Sequence, residues 1–272
     1  MKVHVVMRPE AEESGSTLER ITKFACQAER LGFDGLWVND TLGRGYASLD
    51  PIVLMTVAGT ATSRIQIGTC VLQVPVRHPV ELAHRIEGLH AMIGDRLQLG
   101  VGGGSTQADF DLVEADYPTR FKALLPALHT MRQAWRGEVL SGGQLTPWPG
   151  TEGGPAILLG AWRSRSRIVY AAEQCAGWIA SAMYPKPEEL ETSIKLYRNA
   201  GGNRAVLANV ITHLHGGPDD IPLGGGGSIM LTGGEAAARQ KLEWIRDVGF
   251  DDVLCLARPN SLEVLARIRD AL

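Results

Sequence analysis

The chain has 272 residues, 44% of them hydrophobic, and a formal net charge of −3 with acids and bases interspersed. That length and apolar content suffice for one large core. The mixed charge offers no basic stripe to neutralise a phosphate backbone, so a nucleic acid partner is not expected. Cys26, Cys70, Cys175 and Cys255 are far apart with no C-x-x-C pair, which argues against a zinc knuckle or a disulfide framework and for reduced thiols. The opening MKVHVVMRPE has too short an apolar run for a signal peptide, and no stretch of ~18 apolar residues follows. The expectation is a soluble, cytoplasmic protein with no membrane partner.

In chain order, short β-branched runs alternate with longer segments of helical period. The predicted strands are VHVVM from Val3, GLWV from Gly35, RIQIGTC from Arg64, RLQLGVG from Arg96, AILLG from Ala156, GWIAS from Gly177, RAVLANVIT from Arg204 and DVLCLA from Asp252. Most are continuous apolar runs, the pattern of strands buried on both faces. In the first helix Ser16 or Thr17 can cap, Leu18, Ile21, Ala25 and Ala28 share a face, and Gly32 supplies a left-handed stop. The helix opening at Pro79 loses nothing by the missing N–H in its first turn, which makes His78 a cap or packing residue in preference to a catalyst. His84 and His90 lie on different faces of that helix, so no metal is assigned. Near the end, Leu242, Ile245 and Val248 form a stripe closed by Gly249. The endings LGFDG and VGFDD look like one helix-to-strand turn used twice.

Eight strand–helix alternations imply a parallel sheet closed into a (β/α)8 TIM barrel, one domain over residues 1–272. A doubly wound open sheet is disfavoured because RPEAEESGS follows the first strand where G-x-G-x-x-G would be required. Residues 137–155 and 213–227 exceed ordinary connections and read as lids or tethers that shape the mouth, the second as a candidate for mobile backbone.

The reactive face of a barrel lies at the carboxyl ends of its strands. There stand NDTLGRGY, VLQVPVRHP, GGGSTQADFDLVEADYPTR and AWRSRSR, loops suited to a flat, phosphorylated ligand. The glycines of GVGGGS admit close backbone approach. The turn of Gly160 to Ser164 precedes a helix whose N–H groups and dipole favour an anion. Of Arg163, Arg165 and Arg167, at least two are expected to face water.

The segments AERLGFDGLWVNDTL, DPIVLMTVAGTATSRIQIGT, VPVRHPVELAHRIEGLHAMIGDRLQLGVGGG and ILLGAWRSRSRIVYAAEQCAGW, in that order and spacing, resemble the bacterial luciferase-like superfamily of flavin- and deazaflavin-dependent oxidoreductases. The resemblance implies FMN or coenzyme F420 in the barrel mouth, and hydride transfer or oxygen activation on a small organic substrate. It also implies a separate flavin or F420 reductase as a partner, and a homodimer formed through the helices after the second and third strands, with Met and Leu of PIVLMTVAG and LAHRIEGLHAM as contacts. On the same ground a cis peptide joins Cys70 to Val71 behind the ring, and Gly102 and Gly103 lie beside the cofactor. Arg120 contacts its phosphate or orients the following helix, and Gly160, Ala161, Trp162, Arg163 and Ser164 form the phosphate-binding turn. Asn39, Asp40, Thr41, Arg44 and Tyr46 fall on the substrate side, with Asp40 alternatively a buried partner that holds its loop.

One departure matters. Asp40-Thr41 stands where members frequently read Asp-His, and threonine cannot titrate near neutrality. That speaks against chemistry of the sugar-phosphate dehydrogenase type, and no catalytic residue is assigned. Two alternatives stay open: a flavin-binding protein without turnover, and a barrel acting on a phosphorylated sugar. The latter expects a Lys or Glu at a strand end, and none is well placed.

Overall fold

The computed structural model describes residues 1–8, 15–214 and 229–272. Strands and helices alternate as β1 (Lys2–Met7), α1 (Thr17–Arg30), β2 (Gly35–Val38), α2 (Pro51–Ala61), β3 (Gln66–Thr69), α3 (Pro79–Ile93), β4 (Leu97–Gly102), α4 (Arg120–Trp135), β5 (Ile157–Gly160), α5 (Arg165–Gln174), β6 (Gly177–Ser181), α6 (Pro187–Asn199), β7 (Ala205–Thr212), α7 (Gly234–Val248), β8 (Asp252–Leu256) and α8 (Leu262–Asp270). Each strand pairs in parallel with the next, and β8 pairs with β1, so among the described residues the eight strands close into a barrel. This is the (β/α)8 architecture expected, and every strand boundary falls within two residues of its sequence reading.

Closure follows from composition. All four residues of β2 and all six of β4 are buried, as strands covered on both faces must be. The larger apolar cluster lies between strands and helices. A smaller one, with Val6, Trp37, Cys70, Leu158, Ile179, Val206, Ala208 and Leu254, fills the barrel. At the amino ends of the strands the interior is sealed by polar groups: His4 Nε2 meets Asp252 Oδ1 at 2.7 Å, and Arg204 donates to Asp252 Oδ2 (2.8 Å) and Gln98 Oε1 (2.6 Å).

The twice-used turn is real. Gly32 and Gly249 both take positive φ, 78° and 111°, and Phe33 and Phe250 are buried after them. Asp34 then accepts the Val3 N–H (3.0 Å) and Asp251 the Ala205 N–H (2.6 Å), so each aspartate anchors the first residues of a neighbouring strand. In α1, Ser16 caps with a full capping box to Glu19. Leu18 is exposed while Phe24 is buried: its angle fits the stripe, but it sits in the first turn, past the end of the covered surface. Leu54, Met55, Leu82 and Leu89 of α2 and α3 pack on the barrel, whereas Val53 and Met92 are exposed.

Residues 137–155 do not shape the mouth. They join the carboxyl end of α4 to the amino end of β5, and helix-to-strand connections belong to the opposite rim. There they form a short antiparallel ribbon, Val139–Leu140 with Gly143–Gln144. The Trp148 N–H donates to Glu87 Oε1 (3.1 Å), and Gly154 lies flat on the Trp135 ring. The other long segment, 213–227, lies outside the described residues beyond Leu214. No helix among the described residues is long and apolar enough to cross a membrane.

Candidate functional site

A cavity of about 1060 Å³ opens at the carboxyl ends of the strands, the size of a site for a cofactor-sized ligand. Its wall includes Cys70, Val71, Gly102, Gly103, Gly160 and Ala161, and its lip carries Tyr46, Trp162 and Tyr184. Asn39, Asp40, Thr41 and Arg44 also line it, so the loop after β2 does face the mouth.

The end of β3 forms one wall. Thr69 Oγ1 donates to Gly100 O (2.7 Å), and the Cys70–Val71 peptide that follows is cis. The chain then re-joins the sheet as Leu72–Gln73, paired with Val101 and Gly102. The Cys70 thiol points at Asn39 Oδ1 (3.4 Å), and burial pushes its pKa up, so it serves as a packed wall and not as a nucleophile. Val71 explains two glycines: a Cβ on Gly102 or Gly160 would come within 2.6 or 2.9 Å of its methyl groups. A Cβ on Gly103 would meet Phe121 at 2.7 Å. These glycines thus admit protein side chains, while their backbones border the cavity.

Beneath the β2 loop lies a frame that fixes the substrate-side residues. Asp40 Oδ2 accepts from Gln73 N (2.8 Å) and Arg77 Nη1 (2.5 Å), and its Oδ1 from Arg77 Nη2 (3.0 Å). Its carboxylate is therefore consumed in holding the loop, the structural alternative for that residue. Asp109 accepts from the Leu42 and Gly43 backbone N–H groups (3.2 and 3.0 Å), from Arg44 Nη2 (2.7 Å) and from Gln73 Nε2 (2.9 Å). Burial raises the Asp109 pKa, but the donors Arg44, Gly43 and Gln73 outweigh it and hold the carboxyl below its usual range. Thr41 is closed onto the same loop, its carbonyl accepting from Ser48 Oγ (2.8 Å). Sequence reasoning missed Asp109, one acid among several in DFDLVEAD, with no spacing to single it out.

Cations gather just outside the lining: Gly160, Ala161 and Trp162 of the predicted phosphate turn line the cavity, whereas Arg163, Ser164 and Arg120 do not. Trp162 stacks on Tyr184 with ring centroids 5.0 Å apart, and the exposed Arg163, at φ 59°, lies over Trp162 and pairs with Glu189 at 3.4 Å. Ser164 stands at the N-cap of α5 without a capping hydrogen bond. Arg120 donates to Gly104 O (3.2 Å) and Tyr117 O (2.8 Å), tying the start of α4 to the loop after β4. Its guanidinium lies 4.2 Å from the centre of the Phe121 ring, and so does that of Arg167. Burial, then repulsion from Arg120, lowers the Arg167 pKa. No carboxylate among the described residues pairs with either guanidinium, so two like charges share one ring beside the amino end of α5. Arg165 is exposed and Arg167 half-buried; both stand in the first turn of α5, so nothing local singles out Arg167.

His78 occupies the N-cap of α3, exposed and without a capping bond, while His84 is exposed and His90 buried on the same helix. Among the described residues no group of three or more His, Cys, Asp or Glu is placed to hold a metal ion.

The family model described as luciferase-like monooxygenase matches residues 1–270. A 4-hydroxyprotoasukamycin monooxygenase of Streptomyces nodosus subsp. asukaensis is 32% identical over 111 residues, 40% of this chain and 30% of that protein. An F420-dependent glucose-6-phosphate dehydrogenase of Tsukamurella paurometabola is 28% identical over 148 residues, 51% of this chain and 43% of the relative. The matched part thus spans less than half the length of either curated relative. The oxygenating constituent of 3,6-diketocamphane monooxygenase from Pseudomonas putida, solved in complex with FMN, superposes with a TM-score of 0.76 at 15% identity, covering 98% of this chain and 97% of that one, a likeness of fold. With the model matched over nearly its whole length, the chain belongs to the luciferase-like monooxygenase family.

Proposed function

We propose that the mouth binds FMN or coenzyme F420 in its reduced form and that the protein is an oxidoreductase acting on a small organic substrate. The observation that carries this reading is the polarity of the cavity along its length. Just outside its lining, on either side of the lining residue Phe121, stand the guanidiniums of Arg120 and Arg167 at the starts of α4 and α5, neither paired with a carboxylate among the described residues, a fit for a phosphate at the rim. Its lining includes two buried acceptors without partners among the described residues, Gln73 Oε1 beside Gly104 and Asn209 Oδ1 beside the apolar Ile179, Ala208 and Leu256. A planar ring with a polar edge and an anionic tail satisfies both ends. The names of the relatives, a monooxygenase and an F420-dependent dehydrogenase, and the FMN of the structural neighbour support the same ligand class.

When bound, such a cofactor supplies a hydride or activates oxygen. Val71 would back its ring, the Gly102–Gly103 backbone would border it, and the turn of Gly160, Ala161, Trp162, Arg163 and Ser164, with Arg120 and Arg167 beside it, would hold its charged tail. Asn39, Thr41, Arg44 and Tyr46 orient the substrate, and Trp162 and Tyr184 exclude water at the lip. Among the described residues that line the cavity, Asp40 is the one carboxylate and no histidine or lysine occurs. That composition favours reduction or monooxygenation over a dehydrogenation that leans on a protein base.

The same composition supports a second reading, a flavin-binding protein without turnover. Mixing the protein with reduced FMN or reduced F420 and candidate acceptors separates the two. Accelerated loss of the reduced chromophore is expected, and its absence with every acceptor, oxygen included, would favour the binder.

A further inference from the structure

The interior of the barrel is bridged at the level of the mouth by one side chain. Counting around the closed ring, β3 and β7 stand four strands apart and so form opposite walls. Asn209 of β7 crosses that distance and donates from Nδ2 to the Cys70 carbonyl at 3.5 Å. A carbonyl only accepts, so this contact sets the carboxamide with its nitrogen toward Cys70 and its oxygen away from it. That oxygen is buried and has no partner among the described residues. Asn209 lines the cavity beside Ile179, Ala208 and Leu256, none of which offers a side-chain donor.

The backbone is arranged to aim it. Leu207 pairs with Val253 and Val210 with Cys255, so β7 carries one residue more than β8 over the same span, a bulge centred on Ala208 and Asn209. Asn209 takes φ 61°, the left-handed region, where asparagine is the side chain best tolerated after glycine. A bulge, a left-handed residue and a buried orphan acceptor converge on one atom, and a buried acceptor left unmet is costly. The cavity that Asn209 lines is the space from which a donor can reach it.

We propose that Asn209 reads the ring of the cofactor: its carboxamide oxygen accepts a hydrogen bond from the imide N–H of the pyrimidine edge. This rests on the flavin-type reading of the mouth. The imide N–H is a ring donor that FMN and F420 share and that both keep whether oxidised or reduced, so one acceptor serves either ligand and either state. Asn209 acts as a positioning residue that fixes which edge of the ring enters first.

The test is equilibrium binding, read from quenching of chromophore fluorescence, with FMN, F420 and their derivatives methylated at the imide nitrogen. The wild-type protein is expected to bind the methylated form at least about tenfold more weakly than the parent. Asn209→Gly, which suits the left-handed backbone, is expected to lose about tenfold for the parent and to bind parent and methylated forms alike. Equal binding of the two forms by the wild type, or the same discrimination retained in Asn209→Gly, would overturn the assignment. If the wild type binds neither FMN nor F420, the reading of the mouth itself fails, a result distinct from binding without discrimination.

Discussion

Asp109 and Arg44, 65 positions apart, form a two-point ion pair in which a fully buried carboxylate holds the guanidinium through Nε and Nη2. The same carboxylate fixes the backbone of Leu42 and Gly43, and the close approach leaves no room for a side chain at Gly43, whose Cβ would lie 2.5 Å from Ala108 O. The substrate-side loop is thus pinned from below, by a residue that does not reach the cavity.

Asp109→Ala is therefore expected to strand the Leu42 and Gly43 N–H groups and the Arg44 guanidinium at once. Removing one member of a buried pair costs about 3 to 5 kcal/mol. Urea unfolding should register the loss, and the apparent KM for substrate should rise while the affinity for the cofactor changes little. A wild-type KM in a folded Asp109→Ala protein would show that the loop needs no such anchor.

Arg167→Ala should separate the tail of the ligand from its ring. If this guanidinium meets the phosphate, its loss weakens FMN by about ten- to a hundredfold, the range of a charge-assisted hydrogen bond, and leaves riboflavin, which has no phosphate, unchanged. Isothermal titration with the two ligands reads the difference directly. An equal effect on both would place the phosphate elsewhere.

How much of this was legible in the sequence differs between the fold and the site. The barrel was, because buried parallel strands write themselves as apolar runs and the Gly-Phe-Asp turns mark where α1 and α7 stop. The cis peptide and the loop after β2 were placed through resemblance. What was hidden was pairing across long separations: Asp109 under Arg44, Arg167 beside Arg120, Asn209 across from Cys70. Each is an ordinary residue locally, and only closure of the ring brings its partner near. The segment 137–155 was misplaced for the complementary reason, since its composition suggests a mouth loop while its position between a helix and the next strand assigns it to the other rim.

The polar seal below the barrel predicts an acid limb in stability. Burial raises the Asp252 pKa, but His4 and Arg204 outweigh it and bring the carboxyl to about 2, from 3.8 when unperturbed. A folded value below the unfolded one means that the contribution, about 2 kcal/mol, is complete above roughly pH 5 and is lost as pH falls through about 4 toward 2. Unfolding free energies measured across that window should fall for the wild type, and the gap to Asp252→Asn should narrow by the same amount. A constant gap would show that the pairing does not discriminate between protonation states.

Binding of a flavin-type ring in the mouth of the barrel underlies every role given to the residues above. Titration of the purified protein with FMN and, separately, with F420, followed by visible absorbance, tests this most directly. Saturable one-to-one binding of at least one of them, with a shifted chromophore band, is the predicted result. No binding of either at concentrations up to about 1 mM, the weakest affinity that still amounts to about 4 kcal/mol, would contradict it.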